Sequence, residues 1–169
     1  MNTIKNPTST TRTDPITEAF TKPYGWVLVS IEEMIEESLY FCETFAHTLN
    51  VHNNHPAAAV FEWAKRNFQT EKQWLVDEIE RYLALQNLPL PKRSPWEKPY
   101  AGYQHPATTL MEAGYLMTES EAELIITKIV KVHQDFYDYL SQTQSNEASL
   151  KLVFLLQTHG RFNLEVHNR

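Results

Sequence analysis

Four side chains of this sequence have the types and positions to act as one chemical centre: Glu37, Glu71, His133 and His159. Glu71 and His133 fall on or beside the apolar stripes of separate helical segments, and His159 follows the apolar run Leu150 to Leu156. With Glu37 they would converge between helices as a mixed carboxylate and imidazole cluster, a donor set that suits zinc or iron. The plainer reading gives each group an ordinary hydrogen-bond partner, because buried polar groups generally find one. On that reading His133 bonds Glu37 or a tyrosine, and Glu71 pairs with Arg161. His52 and His55 flank a turn and read as caps. His159, Asn163 and His167 share a helix face at four-residue spacing, which fits a terminal metal clip or a polar helix end.

Other chemistries lack their residues. There is no Gly-x-Ser-x-Gly and no Cys-x-x-Cys, and four glycines are too few for a phosphate-cradling loop. The single cysteine, Cys42, lies on an apolar stripe without an activating base, so it reads as a small core residue. Net charge is −6, and the 15 Lys and Arg are spread along the chain. Nucleic-acid binding needs a concentrated basic face and is not expected. No apolar run approaches the roughly 20 residues that cross a bilayer, so no membrane partner is expected. Met1 to Thr13 lacks the hydrophobic core of a secretory signal, and a cytoplasmic protein is expected.

The elements that must position these groups follow from periodicity. A chain of 169 residues, 42% hydrophobic and 21% charged, fits one domain. Residues 1–22 are polar and are expected to form a flexible arm, with a helical bundle over 23–169. Lys22-Pro23-Tyr24-Gly25-Trp26 reads as a turn, and Ser30-Ile31-Glu32-Glu33 as a capping box that starts the first helix at Ser30. Ile31, Ile35, Ser38, Cys42, Phe45 and Leu49 form its stripe. A second helix begins near His55-Pro56, carries Val60, Ala64, Phe68, Leu75, Ile79 and Tyr82, and ends at Asn87. Residues 87–117 hold five of the nine prolines beside Trp96, Tyr100 and Tyr103. Thr118-Glu119-Ser120-Glu121 caps a third helix with Ala122, Ile125, Ile129, His133, Phe136 and Leu140 inward. After the turn Gln142 to Glu147, a fourth helix is apolar on nearly every side and is expected to be the most buried.

A helix pair, a connection of about thirty residues and a second pair make the ferritin-like plan. The Phe136-Tyr137 pair and the Phe61-x-x-Ala64 opening of the second helix carry a further resemblance. Across residues 30–167 the chain resembles the rubrerythrin branch of the ferritin-like superfamily. The resemblance implies an all-α, ferritin-like four-helix bundle with a long crossover between helices 2 and 3. In active members it also implies a carboxylate-bridged di-iron or di-manganese centre. Those members present a Glu from the first and third helices, and a Glu with a following His from the second and fourth.

This sequence departs from that pattern, for it holds no Glu-x-x-His anywhere. The third helix has Ile129 and Val130 where the ligand Glu belongs. The second has Asn67 and Thr70, and the fourth has Gln157-Thr158-His159 with no Glu before Glu165. Only the first keeps carboxylates, at Glu33, Glu36 and Glu37. Metals of this class need several hard oxygen ligands, so a conventional di-metal centre is not expected.

The leading expectation is therefore a degenerate, non-catalytic ferritin-like bundle that acts through a protein partner or as a homodimer, with no cofactor. Its candidate surfaces are Trp96, Tyr100 and Tyr103, the N-terminal arm, and Trp63 and Trp74 on the second helix. The alternative is a metal-binding oxidoreductase of the rubrerythrin type, with iron, manganese or zinc on Glu37, Glu71, His133 and His159. A third reading is a small-molecule pocket lined by Met34, Phe41 or Met117.

Overall fold

The computed structural model describes residues 23–87, 89–92 and 102–167. They form four helices: α1 (Tyr24–Val51), α2 (His55–Gln86), α3 (Glu119–Thr143) and α4 (Glu147–His167). A 3-10 segment, Pro106–Glu112, lies within the connection between α2 and α3. Among the described residues there is no strand, an all-α arrangement consistent with a four-helix bundle. No helix is long and apolar enough to cross a membrane among those residues. The arm at 1–22, Trp96 and Tyr100 lie outside the described residues.

α1 starts at Tyr24 rather than at Ser30, so the Lys22 to Trp26 stretch is not a turn throughout. The reason is burial: Val27, Leu28 and Ile31 are fully enclosed, so the apolar stripe extends upstream and makes Ser30 an interior helix residue. Pro23, extended at ψ 145°, takes the N-cap position. Gly25 in the first turn has no room for a side chain, because a Cβ there would sit 2.9 Å from both Pro91 Cδ and Tyr82 Oη. Tyr24 donates to Glu78 and packs edge-on to Tyr82, which places the start of α1 beside the end of α2.

The turn between α1 and α2 places Asn53 at φ 58°, and α2 begins with proline in its first turn as anticipated. α2 closes on Asn87, left-handed at φ 48°, whose N–H reaches Leu83 O. Asn54 ties the turn to the residues before α3, donating to Tyr115 O (3.2 Å) and Met117 O (2.7 Å). α3 opens on the expected capping box: Glu121 N–H donates to Thr118 Oγ1 and Thr118 N–H to Glu121 Oε2. All six residues assigned to its inner face are buried.

Over its described side chains, residues 147–160, α4 is not the most buried helix. Leu152, Val153 and Leu156 face the core, but Phe154 is 69% and Leu155 41% exposed. The helix packs mainly on α3 and to a lesser degree on α2, which covers one stripe only. Trp63 and Trp74 are likewise not surface-exposed anchors; both are half-buried against the core. Tyr103 packs edge-on to Phe136 with 6.2 Å between ring centroids. Met34 is fully buried and Phe41 half-buried.

Candidate functional site

The apolar stripes of α1, α2 and α3 each contain a polar residue where the spacing demands an inward one. Ser38 lies between Ile35 and Cys42, Glu71 between Phe68 and Leu75, and His133 between Ile129 and Phe136. Helical periodicity turns all of them toward the centre. Tyr137 joins them one position after Phe136, and His159 enters from α4.

His159 Nδ1 and Glu71 Oε1 are 2.9 Å apart, a hydrogen bond between α2 and α4. Ser38 Oγ and His133 Nε2 are 2.8 Å apart, a second one between α1 and α3. Tyr137 directs its hydroxyl at Glu71 Oε2 from 3.5 Å, a weak contact. His133 Nδ1 stands 4.0 Å from the same oxygen, beyond hydrogen-bond reach. The His133 ring packs on Phe68 (4.9 Å), and His159 meets the edge of Trp74 (5.0 Å).

Desolvation governs the protonation of this cluster. Burial holds His133 down at about 3, so its ring is neutral at physiological pH. Burial raises Glu71 above the usual carboxylate range, opposed by the hydrogen bond and charge of His159 and by the Tyr137 hydroxyl. Burial also lifts Tyr137 well above an ordinary phenol, and Cys42 up to about 12. That thiol stays protonated at neutral pH, as expected of a core cysteine.

Three of the four anticipated residues therefore come together: Glu71, His133 and His159. Glu37 does not. It precedes Ser38, a helical step of about 100° away from the inward face, and it pairs with His105 ahead of the 3-10 segment. Glu71 takes His159 as partner; the side chains of Arg161, Asn163 and His167 lie outside the described residues. His52 is the C-cap of α1, as read, and stacks on Tyr115; His55 is not a cap but the first residue of α2 behind the N-cap Asn54, with its Nδ1 3.0 Å from Asn50 Oδ1.

The donor atoms are not gathered around a common point. Among the described residues, no group of three or more His, Cys, Asp and Glu is placed to hold an ion. The two Glu71 oxygens face two different imidazoles instead of sharing a common point with them. Beside Glu71, a cavity lined by Trp63, Asn67, Val130 and Gly160 has about 10 Å³ of room for the centre of a water molecule, which is one water. Asn67 Nδ2, His133 Nδ1 and both amide atoms of Gln134 are buried with no hydrogen-bond partner among the described residues.

Sequence reasoning missed Ser38 and Tyr137 as members of this centre, and Gly160 as the residue that admits Gln134. A Cβ at Gly160 would lie 1.9 Å from Gln134 Nε2. The available signal was a polar residue at a stripe position (Ser38) and a glycine within a helix (Gly160). Comparison of the chain with protein-family models, curated proteins and solved structures gives no match.

Proposed function

We propose that this chain is a non-catalytic, ferritin-like four-helix bundle that works by association, with a second copy of itself as the first partner. The observation that carries this reading is the outward face of α4, where Phe154 and Leu155 stand exposed next to a buried stripe. Two adjacent exposed apolar side chains make a small patch, and symmetric pairing is the commonest way in which such a patch is covered. The connection from α2 to α3 is read as the long crossover of this plan. Pro91 near its start lies against Gly25 at the beginning of α1. Tyr115 and Met117 near its end are tied to Asn54 beyond the other end of α1.

Sedimentation at micromolar concentration tests the assembly. The native chain is expected to run as a dimer, and Phe154→Glu as a folded monomer with unchanged helical circular dichroism. A native monomer, or a dimer indifferent to Phe154→Glu, removes the support that α4 provides.

The meeting of Glu71, His133 and His159 favours a second reading, a metal-binding oxidoreductase with an altered carboxylate and histidine site for iron, manganese or zinc. Elemental mass spectrometry separates the two, on protein purified without chelators and then loaded anaerobically with iron. Retention below roughly a tenth of an ion per chain is expected from the donor set. Near-stoichiometric metal that disappears in Glu71→Ala or His133→Ala would promote the second reading over the first.

A further inference from the structure

We propose that the seam between α1 and α2 is a self-complementary surface, on which a second copy of the chain docks through reciprocal ion pairs. A groove of about 310 Å³ runs along this seam; Glu36, Tyr40 and Glu43 line it from α1, and Lys65, Gln69 and Lys72 from α2. Steps of four and then three residues put each set on one ridge of its helix. The charges that α1 contributes to the lining are negative, and those that α2 contributes are positive. Tyr40, 66% exposed, stands between the two glutamates.

The register of the two helices makes these charges match across a two-fold axis. α1 and α2 run antiparallel on either side of the turn at 52–54, and Lys72 Nζ reaches Glu36 Oε1 at 3.1 Å. Two helical turns along the groove, Glu43 stands level with Lys65, and midway Tyr40 stands level with Gln69. An axis parallel to the helices lays α1 of one copy over α2 of the other at the same level. Each Glu36 then faces the partner's Lys72, and each Glu43 faces the partner's Lys65. An axis across the helices would lay α1 on α1 and set glutamate against glutamate, which disfavours it.

Within one chain these charges are incompletely used. Glu43 has no ion pair among the described residues. Lys65 takes Glu62 (2.9 Å) one turn away on α2 itself, and the Lys72 and Glu36 pair is solvent-exposed. Exposed pairs of either kind contribute little, so a partner's charge competes with them readily. Docking joins them into one network of both signs around Tyr40 and shields it from water. With a single large apolar side chain from each copy, the contact belongs to the weak, transient class, so it forms well above the micromolar range. α2 turns other residues, Trp63, Asn67 and Glu71, toward Gly160 of α4. The surface therefore adds a second contact to the association proposed above, and it stands whether or not α4 pairs.

The test uses the full chain carrying Phe154→Glu, so that the α4 face is silent. Sedimentation equilibrium at roughly 0.5 mM chain is expected to show a dimer in about 20 mM salt and a monomer in about 0.5 M salt. Glu43→Lys and Lys65→Glu, each added alone, are expected to weaken pairing at least roughly tenfold, because each sets like charges level. Mixing the two variants is expected to restore pairing, since each then meets the opposite charge on the other. Glu36→Lys and Lys72→Glu repeat the experiment two turns away, so a fold defect in one pair, read by circular dichroism, leaves the other to decide. A monomer at low salt overturns the proposal, as does a dimer that survives high salt unchanged. Single variants that pair as well as their parent overturn it too. So does a mixture that pairs no better than its components, because the charges then do not face each other across the contact.

Discussion

Between about pH 6.5 and pH 4 the protein is expected to lose stability at up to about 1.4 kcal/mol per pH unit through one residue, and His133→Gln to abolish that component. His133 is fully enclosed, and burial lowers it from 6.5 to about 3. The unfolded chain takes up a proton at this histidine near pH 6.5, while the folded chain refuses it until near pH 3. The stability is therefore complete above the unfolded value and drains away as pH falls through that window. The groups facing the ring are Ser38 from α1, Phe68 and Glu71 from α2 and Tyr137 from α3. Glu71 works in the opposite sense, since its raised range favours the fold when it is protonated, at the acid end. Only the difference between native protein and variant isolates His133. Glutamine keeps a polar group for Ser38 and carries no titration. Urea denaturation at several pH values measures it, and parallel slopes for the two proteins would sink the assignment.

Glu71→Ala is expected to cost about 3 kcal/mol, and Glu71→Gln less than about 1 kcal/mol at neutral pH. Alanine removes the acceptor of the 2.9 Å bond to His159 and the oxygen facing Tyr137, leaving polar groups of α3 and α4 without a partner. Each such loss in the interior costs on the order of 1–3 kcal/mol. Glutamine retains an oxygen for His159 at nearly the same volume. It also spares the fold an ionised carboxylate, so its relative stability should improve as pH rises from the unfolded carboxylate range through the raised value of Glu71. Denaturant melts of both variants from pH 5 to pH 8 check the sign. An alanine variant within about 0.5 kcal/mol of native would mean that the Glu71 and His159 bond does not hold α2 to α4.

Much of the helix register was legible in the chain, because one-dimensional signals specify it. The capping box at Thr118, the proline after His55 and Asn87 at the end of α2 are local chemistry, and each lies where its spacing placed it. The inner face of α3 followed from repetition at three and four residues, which is geometry shared by every α-helix. Glu71 and His133 were found for the same reason, as polar residues on an apolar stripe. The start of α1 was misjudged because Ser30-x-x-Glu33 is a valid local cap that tertiary burial of Val27 and Leu28 overrides.

Four helices, most of their inward stripes and two of the buried ionisable groups, Glu71 and His133, are legible in the chain alone. Tertiary structure alone decided which of those groups meet. Glu37 and Ser38 differ by one residue, yet the rotation between them sends one to His105 and the other to His133. The pairing of Glu71 with His159 depends on how deeply α4 lies against α2, and no pattern within either helix encodes that depth. The exposure of Phe154 depends on it equally, since an apolar run becomes surface wherever no neighbour arrives to cover it.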